Sequence, residues 1–179
     1  MSGRVFVCAH GAGGHKDDGA MLALDRTLTG IGLEVVRFNF PYREKGRKIP
    51  DPMPVLKARI AAIAAGKENV IIGGRSMGGR AASMLAADGF ACAGLLLFAY
   101  PLHPAGQPDK LRIEHLSKIG IPVLCFNGTR DALCRRDLME KHVPAAWEMH
   151  WLEGADHSLK RAADLEAIGR ETQRWLTTL

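Results

Sequence analysis

A serine hydroxyl becomes a nucleophile only when an imidazole takes its proton and a carboxylate holds that imidazole in the right tautomer. Ser76, Asp131 and His157 are the residues here whose types and order could do this. Ser76 sits in Gly74-Arg75-Ser76-Met77-Gly78, after the apolar run Val70 to Ile72 and before the helix-compatible run Arg80 to Ala87. That pattern reads as strand, tight turn and helix, with the serine in a strained backbone and its hydroxyl projected beyond the sheet. Glycine is needed at 74 and 78 because a side chain there would meet a neighbouring strand or helix. The bare G-x-S-x-G spacing arises by chance in roughly one chain in fifteen of this length, given average Gly usage, so the reading leans on the other residues. Asp131 follows the fifth predicted strand and His157 the sixth, which gives the chain order Ser, Asp, His.

The rivals are less well placed. His150 falls inside a predicted strand, His142 and His115 on predicted helix surfaces, and His15 ahead of the central crossover. Asp137 reads as helical, and Asp156 adjoins His157 too closely to brace its ring from behind. An oxyanion also needs backbone donors already aimed at it. The Met77 N–H at a helix start is one candidate; the other comes from the loop His10-Gly11-Ala12-Gly13-Gly14, where Ala12 N–H is expected. A dinucleotide-binding G-x-G-x-x-G from Gly11 would need glycine where Lys16 stands, and a P-loop would need Gly-Lys-Ser/Thr, which is absent. There is no H-E-x-x-H and no Cys/His cluster, and His10, His15, Asp17 and Asp18 suit loop and helix-start roles. Neither a metal nor a cofactor is expected.

Positioning these groups requires a sheet. Apolar runs of strand length cover Val5 to Ala9, Leu33 to Phe40, Val70 to Ile72, Ala93 to Ala99, Ile121 to Phe126 and Trp147 to Leu152. Between them lie helical patterns: Met21, Leu24 and Leu28 up to Gly30; Leu56, Ile60 and Ile63 from Pro54 to Gly66; Arg80 to Ala87 with Gly89 as its stop; Leu111 to Lys118, a short helix at most; Arg136 to His142, weakly helical; and Leu165, Ile168, Thr172, Trp175 and Leu176. Tyr42 to Met53 reads as a loop with its charges in water. Strands alternating with helices imply a six-stranded parallel sheet covered by helices on both faces. In such sheets ligands bind beyond the carboxyl ends of the strands, where every chemical-looking loop falls.

With 179 residues, 47% of them hydrophobic, one domain spanning 1–179 is expected. The formal charge of +5 comes from scattered basic residues, so nucleic-acid binding is not expected. The four cysteines have no C-x-x-C spacing and point to a reducing, cytoplasmic compartment. No run approaches a membrane span or a signal sequence.

HGAGG after strand one, FNFPY after strand two, GGRSMGGR at the turn, YPLHP after strand four, NGTRD after strand five and GADHS after strand six resemble the small alpha/beta-hydrolases grouped with dienelactone hydrolase relatives and the testis-expressed hydrolase-like proteins. The resemblance spans nearly the whole chain. It implies a nucleophile at Ser76, an acid at Asp131, a base at His157 and oxyanion donors at Ala12 and Met77. It implies the minimal sheet, order 2-1-3-4-5-6, without a lid domain because only about twenty residues separate strands four and five. The implied activity is that of a serine hydrolase on a small ester, thioester or amide. The alternative is an interaction module that keeps the fold. The loop carrying Arg43, Lys45, Arg47 and Lys48, near Arg75, His103 and Arg130, reads as solvated charge; the sharper alternative is a positive rim favouring an anionic substrate.

Overall fold

Short apolar strands form the frame, and in the computed structural model, which describes residues 3–179, six of them make one parallel sheet in the order β2-β1-β3-β4-β5-β6. The strands are β1 Val5–Ala9, β2 Glu34–Arg37, β3 Val70–Arg75, β4 Gly94–Phe98, β5 Val123–Gly128 and β6 Glu148–Leu152. The helices are α1 Gly19–Gly30, α2 Pro41–Glu44, α3 Met53–Ala64, α4 Met77–Ala87, α5 Arg136–His142 and α6 Ala162–Leu176. Residues 99–122, between β4 and β5, hold only the 3-10 turn Leu116–Lys118, so no helical lid is inserted there.

Strand alternation splits the core in two. Val7, Val70, Ile72, Leu95, Leu97 and Val123 pack against Leu56 and Ile60 of α3, Ala81 and Ala82 of α4 and Met139 of α5. Phe6, Ile71, Leu96, Phe98, Leu124 and Phe126 pack on the other face against Met21, Leu24 and Leu28 of α1 and Ile168 and Trp175 of α6. Burying each large side chain contributes about 1.5–3 kcal/mol, which is why the helices lie where their apolar stripes meet the sheet. Asp18 caps α1, its Oδ1 accepting from Met21 N at 3.0 Å.

Some boundaries differ from the sequence reading. The second strand stops at Arg37 instead of Phe40: beyond it the Phe40 N–H donates to the His10 ring at 3.2 Å, so a side chain replaces the ladder. Tyr42 to Met53 is not all loop. Pro41, beyond the end of the strand, opens the helical turn α2, where a missing N–H costs nothing, and Tyr42 is fully buried beneath it. The fifth strand begins at Val123, past the donorless Pro122, and continues to Gly128; Leu111 to Lys118 shrinks to its last three residues.

Close packing at the centre explains two glycines. A methyl on Gly74, whose φ is +140°, would stand 2.1 Å from Ala9 O, and one on Gly78 would stand 2.6 Å from His10 O. Gly74→Ala should therefore lose about 3 kcal/mol or more. Gly46→Ala, at φ +68° with open space around it, should lose only about 1 kcal/mol. Urea unfolding of the two variants checks the contrast; equal losses would mean that backbone strain alone governs both.

Candidate active site

The end of β3 runs straight into α4 through Ser76, whose φ of 47° and ψ of −118° place an L-residue in a region that costs about 1–3 kcal/mol. The strain is held by Ser76 N donating to Phe98 O at 2.9 Å and by Arg80 N donating back to Ser76 O at 2.9 Å. The hydroxyl is thereby presented at the carboxyl end of the sheet. His157 Nε2 lies 2.9 Å from Ser76 Oγ. On the other side of the ring, Nδ1 lies 2.9 and 2.8 Å from the two Asp131 carboxylate oxygens.

Asp131 stands just past β5 with its side chain fully out of water, whereas the His157 side chain remains 31% exposed. Leu133 N donates to Asp131 Oδ1 at 2.8 Å and fixes the carboxylate. A carboxylate accepts only, so Nδ1 carries the hydrogen and the Nε2 lone pair faces the serine. An imidazole held this way can accept the hydroxyl proton and gain a counter-charge behind it as it does so. The structure thus brings together the three residues that the sequence singles out.

The glycine-rich loop after β1 reaches the same place. Gly11, Ala12, Gly14, Asp18, Ala20, Arg75, Ser76, Leu133 and His157 line a cleft of about 350 Å³. Met77 N–H is the first amide of α4, among those a helix leaves without an internal partner. The loop is propped from below: Gly13 N donates to Tyr42 Oη at 3.2 Å, while His10 donates from Nδ1 to Gly11 O and accepts Phe40 N at Nε2. Burial lowers the His10 pKa, so it stays neutral and structural. A second cleft, about 450 Å³, adjoins the first across Arg75 and His157 and is lined by Arg130, Ala132, Asp156 and Ser158. A larger one, about 610 Å³, lies at the amino ends of the strands around Arg4, Leu33 and Leu176, away from these groups.

The rival residues have other occupations. Asp137 is exposed and paired with Arg135, and Asp156 Oδ1 accepts from Ser158 N and Oγ. His150 faces Glu148, and His103 is buried, bonded to Pro104 O and Arg135 N. His115 is not on a helix surface: its Nε2 lies 2.8 Å from Ser83 Oγ, a second serine–histidine contact. There Ser83 Oγ also lies 2.7 Å from Arg80 O and Tyr100 Oη 3.0 Å from Arg112 O, and among the described residues no carboxylate is bonded to the far side of the ring. Such a ring has no counter-charge behind it, unlike His157 with Asp131. Burial keeps it neutral besides.

The basic loop is also more occupied than its sequence suggests. Arg47 pairs with Asp51, Arg43 donates to Arg47 O, Arg75 lines the clefts with its guanidinium bonded to Ser158 O, and His103 is buried. Lys45 and Lys48 are exposed. Arg75, Tyr42 and Leu133 are site residues that sequence reasoning did not assign; only Tyr42 left a signal, as the aromatic following the strand-ending proline. Among the described residues no His, Cys, Asp and Glu side chains gather in threes to hold a metal ion. Burial raises the thiol pKa values of Cys8 and Cys134 to about 12, leaving them protonated.

The sequence matches a family model described as an alpha/beta hydrolase domain over residues 2–176. Among solved structures, it is similar to Est1E of Butyrivibrio proteoclasticus with ferulic acid bound, at 16% identity and TM-score 0.77, covering 98% of this chain and 88% of that one. It is similar to the monoacylglycerol lipase of Paleococcus ferrophilus at 19% identity and TM-score 0.75, covering 98% and 94%. It is similar also to dienelactone hydrolase from Anabaena variabilis, at 18% identity and TM-score 0.74, covering 99% and 86%. The likeness to these structures is one of fold, whereas the family match runs through nearly every residue from the first strand to the last helix. The chain belongs to the alpha/beta hydrolase domain family.

Proposed function

We propose that this chain is a serine hydrolase of carboxylesterase type that cleaves a small carboxylic ester, thioester or amide without a cofactor. The observation that carries this reading is the unbroken hydrogen-bonded line from Ser76 Oγ through His157 to Asp131, at 2.9 and 2.8 Å, opening into a cleft. Ser76 Oγ attacks the carbonyl carbon while its proton passes to His157 Nε2. Asp131 steadies the imidazolium, and the Ala12 and Met77 N–H groups meet the oxyanion. The imidazolium then protonates the leaving oxygen, sulfur or nitrogen, and a water repeats the sequence on the acyl-enzyme. Small residues on the cleft wall, Gly11, Ala12, Gly14 and Ala20, suit a short acyl group. That one similar structure is named a lipase and another a hydrolase agrees with this chemistry.

Four free thiols agree with a cytoplasmic setting, and among the described residues no helix is long and apolar enough to cross a membrane. Turnover of p-nitrophenyl esters with acyl chains of two to ten carbons, about that range being what a cleft of this class holds, tests the reading: activity should fall with chain length. No turnover of any of them by folded protein would favour an interaction module that keeps the fold.

The remaining positive charge of the loop after β2 bears on substrate choice. Tyr42 props the loop that holds Ala12, and Arg43, Lys45 and Lys48 follow it on the same segment, from which their charge would act on the cleft's approach. Their field is screened over about 8 Å at physiological salt. An ester bearing a carboxylate should be cleaved with several-fold higher kcat/KM than a neutral one of equal size at low salt, and the advantage should shrink as salt is raised. Lys45→Gln with Lys48→Gln should remove it and leave the neutral ester unaffected. Equal rates for the two esters at low salt would leave this loop a solvated one.

A further inference from the structure

Arg75 precedes the proposed nucleophile, at the end of β3 opposite Phe98 of β4. Along β3 the side chains of Val70 and Ile72 face α3 and α4, so position 75 shares the opposite face with Ile71, the side on which α1 and α6 pack. A guanidinium there is costly, and burial works against its charge. Among the described residues no carboxylate forms an ion pair with it; those of Asp18, Asp131 and Asp156 favour its charge from farther off. Its two terminal nitrogens are spent on backbone instead. Nη1 donates to Ser158 O at 2.6 Å and Nη2 to His157 O at 3.2 Å.

The segment so gripped is a strained turn. Leu159, directly after it, is held at a φ of 46°, a left-handed conformation imposed on a branched residue with its side chain buried in the core. Asp156 folds the segment tightly from the other side by accepting from Ser158 N and Oγ. Asp131 holds only the imidazole ring. The carbonyls of the backbone that carries the ring are bonded by Arg75, while Arg130 N and Leu159 N bond its neighbours at Ala155 O and Asp156 O.

We infer that Arg75 is a positioning residue: its guanidinium locks the His157-Ser158 backbone to the strand that bears Ser76, so that nucleophile and base move as one body. The inference rests on the roles proposed above for Ser76 and His157. Charge-assisted bonds to carbonyls are stronger than neutral ones and need two donors in a fixed fork, which arginine supplies and lysine supplies only in part. A methionine of similar length would fill the space and offer neither donor.

Kinetics and crystal structures of Arg75→Met, Arg75→Gln and Arg75→Lys test this, with Ser76→Ala alongside. Since displacing a reacting group by about 1 Å can cost 100-fold, Arg75→Met should lower kcat by about that factor. KM should stay within about threefold, because the cleft that binds substrate is otherwise intact. The melting temperature should stay within about 3 °C, since exchanging a buried charge for an apolar group is often neutral. Its His157 Nε2 to Ser76 Oγ separation should exceed hydrogen-bond reach. Arg75→Lys should restore at least about tenfold of the loss by reaching one of the two carbonyls. Arg75→Gln, uncharged but still a donor, should fall between them and serves if Arg75→Met does not fold. A contact kept at 2.9 Å with undiminished kcat overturns the inference. So does a loss of kcat that tracks a fall in melting temperature and is not recovered by lysine. The separation needs no substrate, so it judges Arg75 even if wild-type protein proves inactive or Ser76→Ala proves active; either of those results defeats the hydrolase reading instead.

Discussion

Ser76→Ala should lower kcat by several orders of magnitude, on the order of 10⁵-fold, and the double variant Ser76→Ala with His157→Ala should be no worse. The reason is that the two side chains act on one proton: with Nε2 2.9 Å from Oγ, removing either end leaves the other nothing to do. Stability should divide them. Ser76→Ala keeps the Cβ and the same strained turn, so its unfolding free energy should be nearly unchanged. His157→Ala strips the partner from a carboxylate wholly removed from water, leaving Leu133 N as its donor, and should cost about 1–3 kcal/mol. Steady-state kinetics on the most active ester, with urea unfolding of each variant, checks both. Losses in kcat that multiply in the double variant would mean that the two residues act separately.

Asp131→Asn should be nearly as severe, about 10⁴-fold in kcat, although the substitution changes little in shape. The asparagine oxygen can still accept from Leu133 N, which leaves its amide to face His157 Nδ1. An N–H there turns the tautomer over, so that Nε2 carries the hydrogen and cannot take the serine's. Asp137→Asn is the contrast. That carboxylate is exposed, and its partner is the equally exposed Arg135, a pairing that water screens. Its kcat should be that of the wild type. A dead Asp137 variant beside an active Asp131 variant would move the acid to the other residue.

How far the sequence could be read depended on whether a signal was local. The sheet and the placing of Ser76, Asp131 and His157 after β3, β5 and β6 could be read from apolar runs and the loops that follow them, because buried parallel strands leave an unbroken apolar signature, whereas the strand order came with the family resemblance. Gly74 and Gly78 could be read because only a bare Cα fits against Ala9 and His10. What escaped was tertiary. Nothing local says that the Phe40 amide will leave the ladder for the His10 ring, or that Pro41 will open a helical turn that buries Tyr42. Arg75 looked like one more charge on a basic rim because its acceptors, the carbonyls of His157 and Ser158, lie about eighty residues away. His115 looked like a surface residue until the fold brought it to Ser83.

The most direct test of the account is where a fluorophosphonate attaches. Covalent capture at neutral pH requires an activated hydroxyl and donors for the phosphoryl oxygen, whatever the natural substrate. Trypsin separates the two candidate serines, because Arg75 and Arg80 bracket Ser76 in the peptide Ser76 to Arg80, whereas Ser83 falls in the peptide from Ala81 to Lys110. Stoichiometric modification of Ser76 to Arg80 is expected, abolished in Asp131→Asn and His157→Ala. Modification of Ala81 to Lys110, or none at all on protein whose circular dichroism reports the fold intact, would contradict it.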